Sequence, residues 1–217
     1  MHVAELWRYP VKSLGGERLE ETELTMEGIP GDRLVHVRNG HGRVITSRIR
    51  PRLLGLSGTL RPDGEPLIDG RPWASPESHE AVGAAVGDVL GGWELLRDDS
   101  LERFDVLPLT IATDGAIAAL GHDGRRLRPN IVIGGVEGLA ERGWPGRMLR
   151  IGDAWISIAR LRARCVMTTY DPDTQVQDLS VLRRIVEEFD GSLALDCSVV
   201  RPGRIRVGDE VSLRPEA

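Results

Sequence analysis

Arg164-Cys165-Val166-Met167-Thr168-Thr169-Tyr170-Asp171-Pro172-Asp173-Thr174 joins an alternating apolar segment to an acidic turn bounded by proline. Residues 154–161, just upstream, alternate apolar and polar side chains. With residues 148–151 they read as a hairpin closed at Gly152-Asp153. The second arm therefore delivers an arginine and a cysteine to the end of a strand. A thiolate is the softest metal ligand a protein offers, and a neighbouring cation favours the ionised form. Cys165 is thus a candidate metal ligand. The residues alone leave a second reading open, a small structural thiol buried in the core.

Working outward, the pattern is many short strands and few short helices. Residues 3–9 alternate and end at Pro10. Residues 19–24, 34–37, 44–45, 53–60 and 66–68 read as further short strands, with Asn39-Gly40-His41-Gly42 as hairpin chemistry. Residues 76–90 have helical spacing weakened by Gly83 and Gly87. Residues 93–96, 106–112 and 131–133 return to strand. Residues 181–189 form an amphipathic helix, and residues 193–200 a strand that leads to a closing strand pair. Asp98-Asp99-Ser100 is the polar boundary, dividing residues 1–98 from 99–217. The fold class expected is a β-rich α+β fold with two β-barrel-like subdomains and a few short helices.

Composition narrows the function. The chain has 217 residues, 41% hydrophobic and 28% charged, with a net charge of −5. That is a folded chain and not a general nucleic-acid binder, which would be basic. No apolar run approaches the ~20 residues needed to span a bilayer. The N-terminus carries no basic segment followed by an apolar one, and Cys165 and Cys197 form no disulfide framework. A cytoplasmic location with both thiols reduced is the expectation. The five histidines lack metal-ligand spacing, and Cys197 in its apolar strand reads as a core thiol.

Lys12 is the only lysine among 28 Lys and Arg residues. It precedes Ser13-Leu14-Gly15-Gly16, whose paired glycines permit close backbone approach to a ligand. Thr113-Asp114 caps a short helix over residues 115–120, whose free N–H groups would suit an anion. Arg128 and Asn130 share one side of the strand entrance at 131 by the two-residue period. Asp171 and Asp173 serve either in proton delivery or as the turn that shapes their loop.

Four segments carry a resemblance to a known family: Tyr9-Pro10-Val11-Lys12-Ser13, Gly31-Asp32-Arg33, Arg128-Pro129-Asn130-Ile131-Val132-Ile133, and the Arg164–Thr174 run. Pro202-Gly203-Arg204-Ile205-Arg206-Val207-Gly208-Asp209 also fits. In order and over nearly the whole chain, they resemble MOSC domain proteins with an N-terminal MOSC β-barrel domain, in the branch of the amidoxime-reducing components. The resemblance implies a molybdenum cofactor (molybdopterin with molybdenum) held between two domains, with Cys165 as metal ligand and catalytic residue. It implies that Lys12, Ser13, Arg33, Thr113, Arg128, Asn130 and Arg164 contact the cofactor. Guanidinium forks and a lysine suit its phosphate.

The activity implied is reduction of N-hydroxylated compounds, amidoximes or hydroxylamines, by removal of oxygen at a Cys-ligated molybdenum. Electrons would come from a separate reductase or ferredoxin-type protein, since the chain has no ferredoxin cysteine set or haem motif. The alternative, from a different class, is a cofactor or sulfur carrier without redox turnover. The chain departs from the related enzymes at Asp196, where a tyrosine often lies at or beside that position.

Overall fold

Alternating apolar positions in the first strand and the central strands build one large sheet. A computed structural model describes residues 1–215. Its largest sheet has eight strands, in the spatial order Val211–Arg214, Met148–Ile151, Ala154–Ala163, Ser192–Arg201, Leu109–Thr113, Ile131–Gly134, His2–Arg8 and Glu17–Leu19. Neighbours are antiparallel, except that Leu109–Thr113 and Ile131–Gly134 run parallel. The connection between those two carries the helix Asp114–Leu120, as a parallel pair requires a crossover.

The sheet returns toward its own start. Val3 N donates to Asp209 O at 2.9 Å, Gly208 N to Val3 O at 2.8 Å and Val211 N to Met1 O at 2.9 Å. Among the described residues this contact amounts to one bridge, His2 with Glu210. The strand ladder therefore does not close into a barrel. The β-rich α+β class is the one adopted; barrel closure is not.

Two three-stranded sheets complete the N-terminal half: Val44–Ile45, Val35–Asn39 and Trp93–Arg97, and Gly58–Leu60, Pro66–Ile68 and Arg71–Pro72. They share a core with the helix Pro76–Val86 through Leu53, Ile68, Val82 and Val86. The expected helix over residues 76–90 stops four residues early. Gly87 takes φ 67° and ends it, the left-handed conformation glycine adopts without penalty. Another core lies under the helix Leu179–Phe189, where Val181, Ile185 and Phe189 are buried at four-residue spacing. Each such burial contributes roughly 1.5–3 kcal/mol.

Two expected strands are reshaped. Residues 53–60 are not one strand: Pro51–Gly55 is a 3-10 turn with proline at its start, and pairing begins only at Gly58. Residues 19–24 are split. Glu17–Leu19 pairs with the first strand, whereas Glu21–Leu24 pairs with Gly203–Arg206. Alternation is the same on either side of Glu20, so the break is not visible in the pattern.

One irregularity prepares the site. In Ala154–Ala163, residues Ala154, Ile156 and Ile158 face the core. The register to Ser192–Arg201 shifts between Ile158 and Arg160, so that Ile158 opposes Cys197 and Arg160 opposes Asp196. This β-bulge reverses the parity of the downstream residues. Leu161 packs on the core, while Arg160 and Arg162 face a cleft. In a regular strand these two arginines would point at the core.

Candidate functional site: a cationic cleft behind Cys165

A cavity of about 360 Å³ opens where the loops after the first strand meet the end of Ala154–Ala163. Seven cationic side chains and two carboxylates line it, although the whole chain is acidic. Three of its residues are non-glycine positions in the left-handed region: Ser13 at φ 74°, Arg33 at φ 57° and Arg128 at φ 50°. Such conformations cost on the order of 1–3 kcal/mol each and persist where surroundings enforce them, typically at functional sites.

The enforcement is visible. Backbone bonds from Lys12 N to Val35 O (2.7 Å) and from Arg33 N to Tyr9 O (2.8 Å) fix the first two loops. Arg128 caps the 3-10 turn Gly124–Leu127, its N–H donating to Arg125 O at 2.9 Å. Since Arg128 precedes the strand in a left-handed conformation, the two-residue period does not apply between it and Asn130. Arg128 turns to the cleft. Asn130 turns into the protein, with Oδ1 accepting from Thr110 N at 3.0 Å and Nδ2 donating to Asp32 Oδ2 at 3.1 Å.

Asp32 is fully buried and organises this wall. It accepts from Tyr9 N at 2.7 Å, from Asn130 Nδ2 and from Arg33 Nη1. The Tyr9 ring lies between two cleft cations, 4.2 Å from the Arg128 guanidinium carbon and 5.5 Å from that of Arg33. Burial pushes the Tyr9 phenol up to about 12, against the pull of Arg128 and Arg33. The ring is therefore a neutral, electron-rich face for both guanidinium groups.

Arg164 and Cys165 form the opposite wall. Arg164 N donates to Gly191 O at 2.9 Å, and its Nη2 donates to Leu127 O at 2.9 Å. Its Nε and Nη1 are buried with no hydrogen-bond partner among the described residues. Burial lowers its pKa to about 10, with Arg162 adding to that effect. A buried charged group with two unused donors is costly, and an anionic ligand would relieve that cost. Cys165 is partly exposed, whereas Cys197 is fully buried. The Cys165 carbonyl accepts from Thr168 N (3.0 Å) and Thr168 Oγ1 (2.9 Å), which tightens the turn behind the thiol.

The acidic run after Tyr170 is the frame of that turn. Asp171 Oδ1 accepts from Asp173 N, Thr174 N and Thr174 Oγ1. Asp173 is gripped by Arg125 through two bonds of 2.9 and 2.6 Å. Of the two readings open for Asp171 and Asp173, the geometry supports the turn.

Lys12 Nζ bonds Arg103 O at 2.9 Å and Asp105 Oδ1 at 2.6 Å. Arg48 Nη2 holds the other Asp105 oxygen at 2.5 Å and lines the same cleft as Cys165. Burial opposes ionisation of Asp105, but the Lys12 bond and the Lys12 and Arg48 charges keep its pKa below the usual carboxylate value. Sequence reasoning does not single out Arg48, Asp105, Arg160 or Arg162. The spacing of Arg160, Arg162 and Arg164 is the available signal, but the bulge hides it.

Six of the eight expected residues thus line one cleft: Lys12, Ser13, Arg33, Arg128, Arg164 and Cys165. Asn130 stands behind it as the support of Asp32. Thr113 is not brought there. It caps Asp114–Leu120, accepting from Ala116 N at 3.0 Å and donating to the buried Glu141 at 3.2 Å. The N–H groups of the helix N-terminus expected to hold an anion are taken by the chain's own side chains, Ala116 N by Thr113 and Gly115 N by Asp114.

Residues 1–70 match the MOSC N-terminal beta barrel domain, and residues 114–212 match the MOSC domain. The chain belongs to the MOSC family. It is 29% identical over 231 residues to the human protein named mitochondrial amidoxime-reducing component 1, covering 80% of this chain and 67% of that one. It is 28% identical over 279 residues to mitochondrial amidoxime reducing component 2 of Macaca fascicularis, covering 96% and 82%. The crystal structure of the YUAD protein from Bacillus subtilis superposes over 100% of this chain and 96% of its own, with a TM-score of 0.54 at 15% identity, which supports the fold. Both matched MOSC regions contribute to the cleft. Lys12, Ser13, Arg33 and Arg48 come from the first, and Arg128 and the 160–165 segment from the second.

Proposed function

We propose that this MOSC protein binds a molybdenum cofactor in the cleft and reduces N-hydroxylated compounds, amidoximes or hydroxylamines. The observation that carries the reading is Arg164: a buried guanidinium with two unpartnered nitrogens, placed immediately before a partly exposed thiol. Lys12, Arg33 and Arg128 converge on the same space. This donor set suits a phosphate-bearing cofactor, with forks for its oxygens and a lysine as point charge. The relatives named as amidoxime-reducing components support the substrate class.

When bound, the molybdenum cofactor supplies the two-electron redox chemistry; the protein supplies position and electrostatics. Cys165 would be the residue that holds its metal. Ser13, Arg33 and Arg128, held in left-handed conformations, keep their donors aimed before the ligand arrives, so little ordering remains to be done on binding. Two electrons and two protons convert an amidoxime to an amidine and water. The electrons enter from a separate donor protein, of reductase or ferredoxin type. With domains taken as residues 1–98 and 99–217, this cleft lies at the seam between them.

The test is molybdenum content followed by turnover. Protein from a host that makes the cofactor should hold about one molybdenum per chain and reduce benzamidoxime with a chemical electron donor. Cys165→Ala should abolish turnover. Unchanged molybdenum content and unchanged turnover in Cys165→Ala would defeat the ligand assignment. Bound cofactor with no reduction of any N–O compound would leave the carrier reading.

A further inference from the structure

The inner wall of the cleft, Lys12, Arg33, Arg128 and Arg164, accounts for the anionic cofactor. Three arginines remain. Arg160, Arg162 and Arg48 line the same cleft, with side chains 64%, 19% and 42% exposed. Two of them are there only because of the bulge between Ile158 and Arg160. A bulge beside a site commonly re-aims a side chain, and here it turns two successive arginines out of the core.

The same two are anchored by one buried carboxylate. Asp196 is 1% exposed. Its Oδ2 accepts from Arg160 Nε at 3.3 Å and its Oδ1 from Arg162 Nη1. Both oxygens are used, so Asp196 is a positioning residue and not a free acid or base. Arg160 is held through Nε alone, which leaves both terminal nitrogens without a protein partner among the described residues. Its planar fork is thereby steered and still open to a ligand.

We propose that Arg160 and Arg162, steered by Asp196 and joined by Arg48, select an N-oxygenated substrate that carries a carboxylate. The proposal rests on the reductase reading above and names the substrate class for it. The charge balance points to an anion. Arg48, Arg160 and Arg162, with Lys12 on Asp105, outnumber the carboxylates Asp196 and Asp105 by two positive charges. A carboxylate also matches the guanidinium fork with two parallel bonds.

The experiment compares benzamidoxime with 4-carboxybenzamidoxime on the molybdenum-loaded protein. In parallel, calorimetric binding of 4-carbamoylbenzoate is compared with benzamide. The carboxylate substrate should have kcat/KM higher by about tenfold or more, the scale of one charge-assisted hydrogen bond. That ratio should fall toward one in Arg160→Gln and in Asp196→Asn, and rising salt should erode it in the wild type. Arg160 is mostly exposed, so its variant is expected to fold; Arg162→Lys, which keeps the charge and loses the fork, serves as the second variant. A ratio near one in the wild type, or one unchanged by all three substitutions, overturns the proposal. If neither amidoxime is reduced, the reductase reading fails and binding decides. Preference for 4-carbamoylbenzoate that depends on Arg160 sustains the carboxylate site, and equal binding of both probes removes it.

Discussion

The Arg128 guanidinium carbon lies 4.2 Å from the centroid of the Tyr9 ring, and the Tyr9 hydroxyl donates to Pro129 O at 3.2 Å. One tyrosine from the end of the first strand therefore holds both the side chain and the backbone of the Arg128 turn. Tyr9→Phe keeps the ring and loses one hydrogen bond, about 1 kcal/mol. Tyr9→Leu loses the cation–π contact as well, for a total of about 2–3 kcal/mol. Urea unfolding of the two variants should separate these contributions. Equal losses would show that the ring face contributes nothing.

Arg164 should be a liability until its ligand arrives. Replacing it with methionine removes a buried charge with two unpartnered donors, so the cofactor-free chain should gain about 1 kcal/mol or more. The same variant should lose the stabilisation that the cofactor gives to the wild type. Denaturant midpoints with and without cofactor measure both effects. Destabilisation of the cofactor-free variant would mean that the Leu127 carbonyl bond outweighs the buried charge.

The two thiols should behave oppositely. Cys165 is partly exposed and should be alkylated by iodoacetamide in the folded protein. Cys197 is fully buried, and burial pushes its thiol well above the usual cysteine value. It should react only on unfolding. Mass spectrometry of the labelled peptides decides this, and bound cofactor should protect Cys165.

Glu141 sets a pH dependence. It is fully buried, Oε1 has no partner among the described residues, and burial raises its pKa above the ordinary 4.5. Between that ordinary value and its folded value, the native state binds more protons than the unfolded chain. This group's contribution to stability therefore declines as pH rises through that window. Glu141→Gln should flatten the decline and stabilise the protein at neutral pH, as read from urea midpoints between pH 4.5 and neutrality. An identical pH profile in the variant would rule out Glu141 as its source.

Local signals account for much of the fold. The hairpin at Asn39-Gly40-His41-Gly42 forms with Val37 opposite Ile45. The amphipathic run over residues 181–189 is helical, extended at its start by the Asp178 cap. The departures have one kind of cause. At residues 53–60 and 19–24, apolar alternation says that a segment is half-buried, not which strand it pairs with. Period two would set Arg128 and Asn130 on one side, and a left-handed residue breaks that period. Thr113 has the hydroxyl a helix cap needs, and it spends it on Ala116 N while the adjacent Asp114 takes Gly115 N.

The sequence by itself determined the side chains on offer: a cysteine behind an arginine, one lysine, and arginines in motifs that mark a MOSC protein. Those are properties of side chains and short spacings. The tertiary structure alone decided which cations share a wall with Cys165. Lys12, Arg33 and Arg128 converge because Asp32 and Tyr9 tie distant loops together. Arg160 and Arg162 reach the cleft because a single extra residue reverses the parity of their strand. Neither the burial that leaves two Arg164 nitrogens unpartnered nor that reversal exists until the strands pair. For that reason no spacing in the chain announces them.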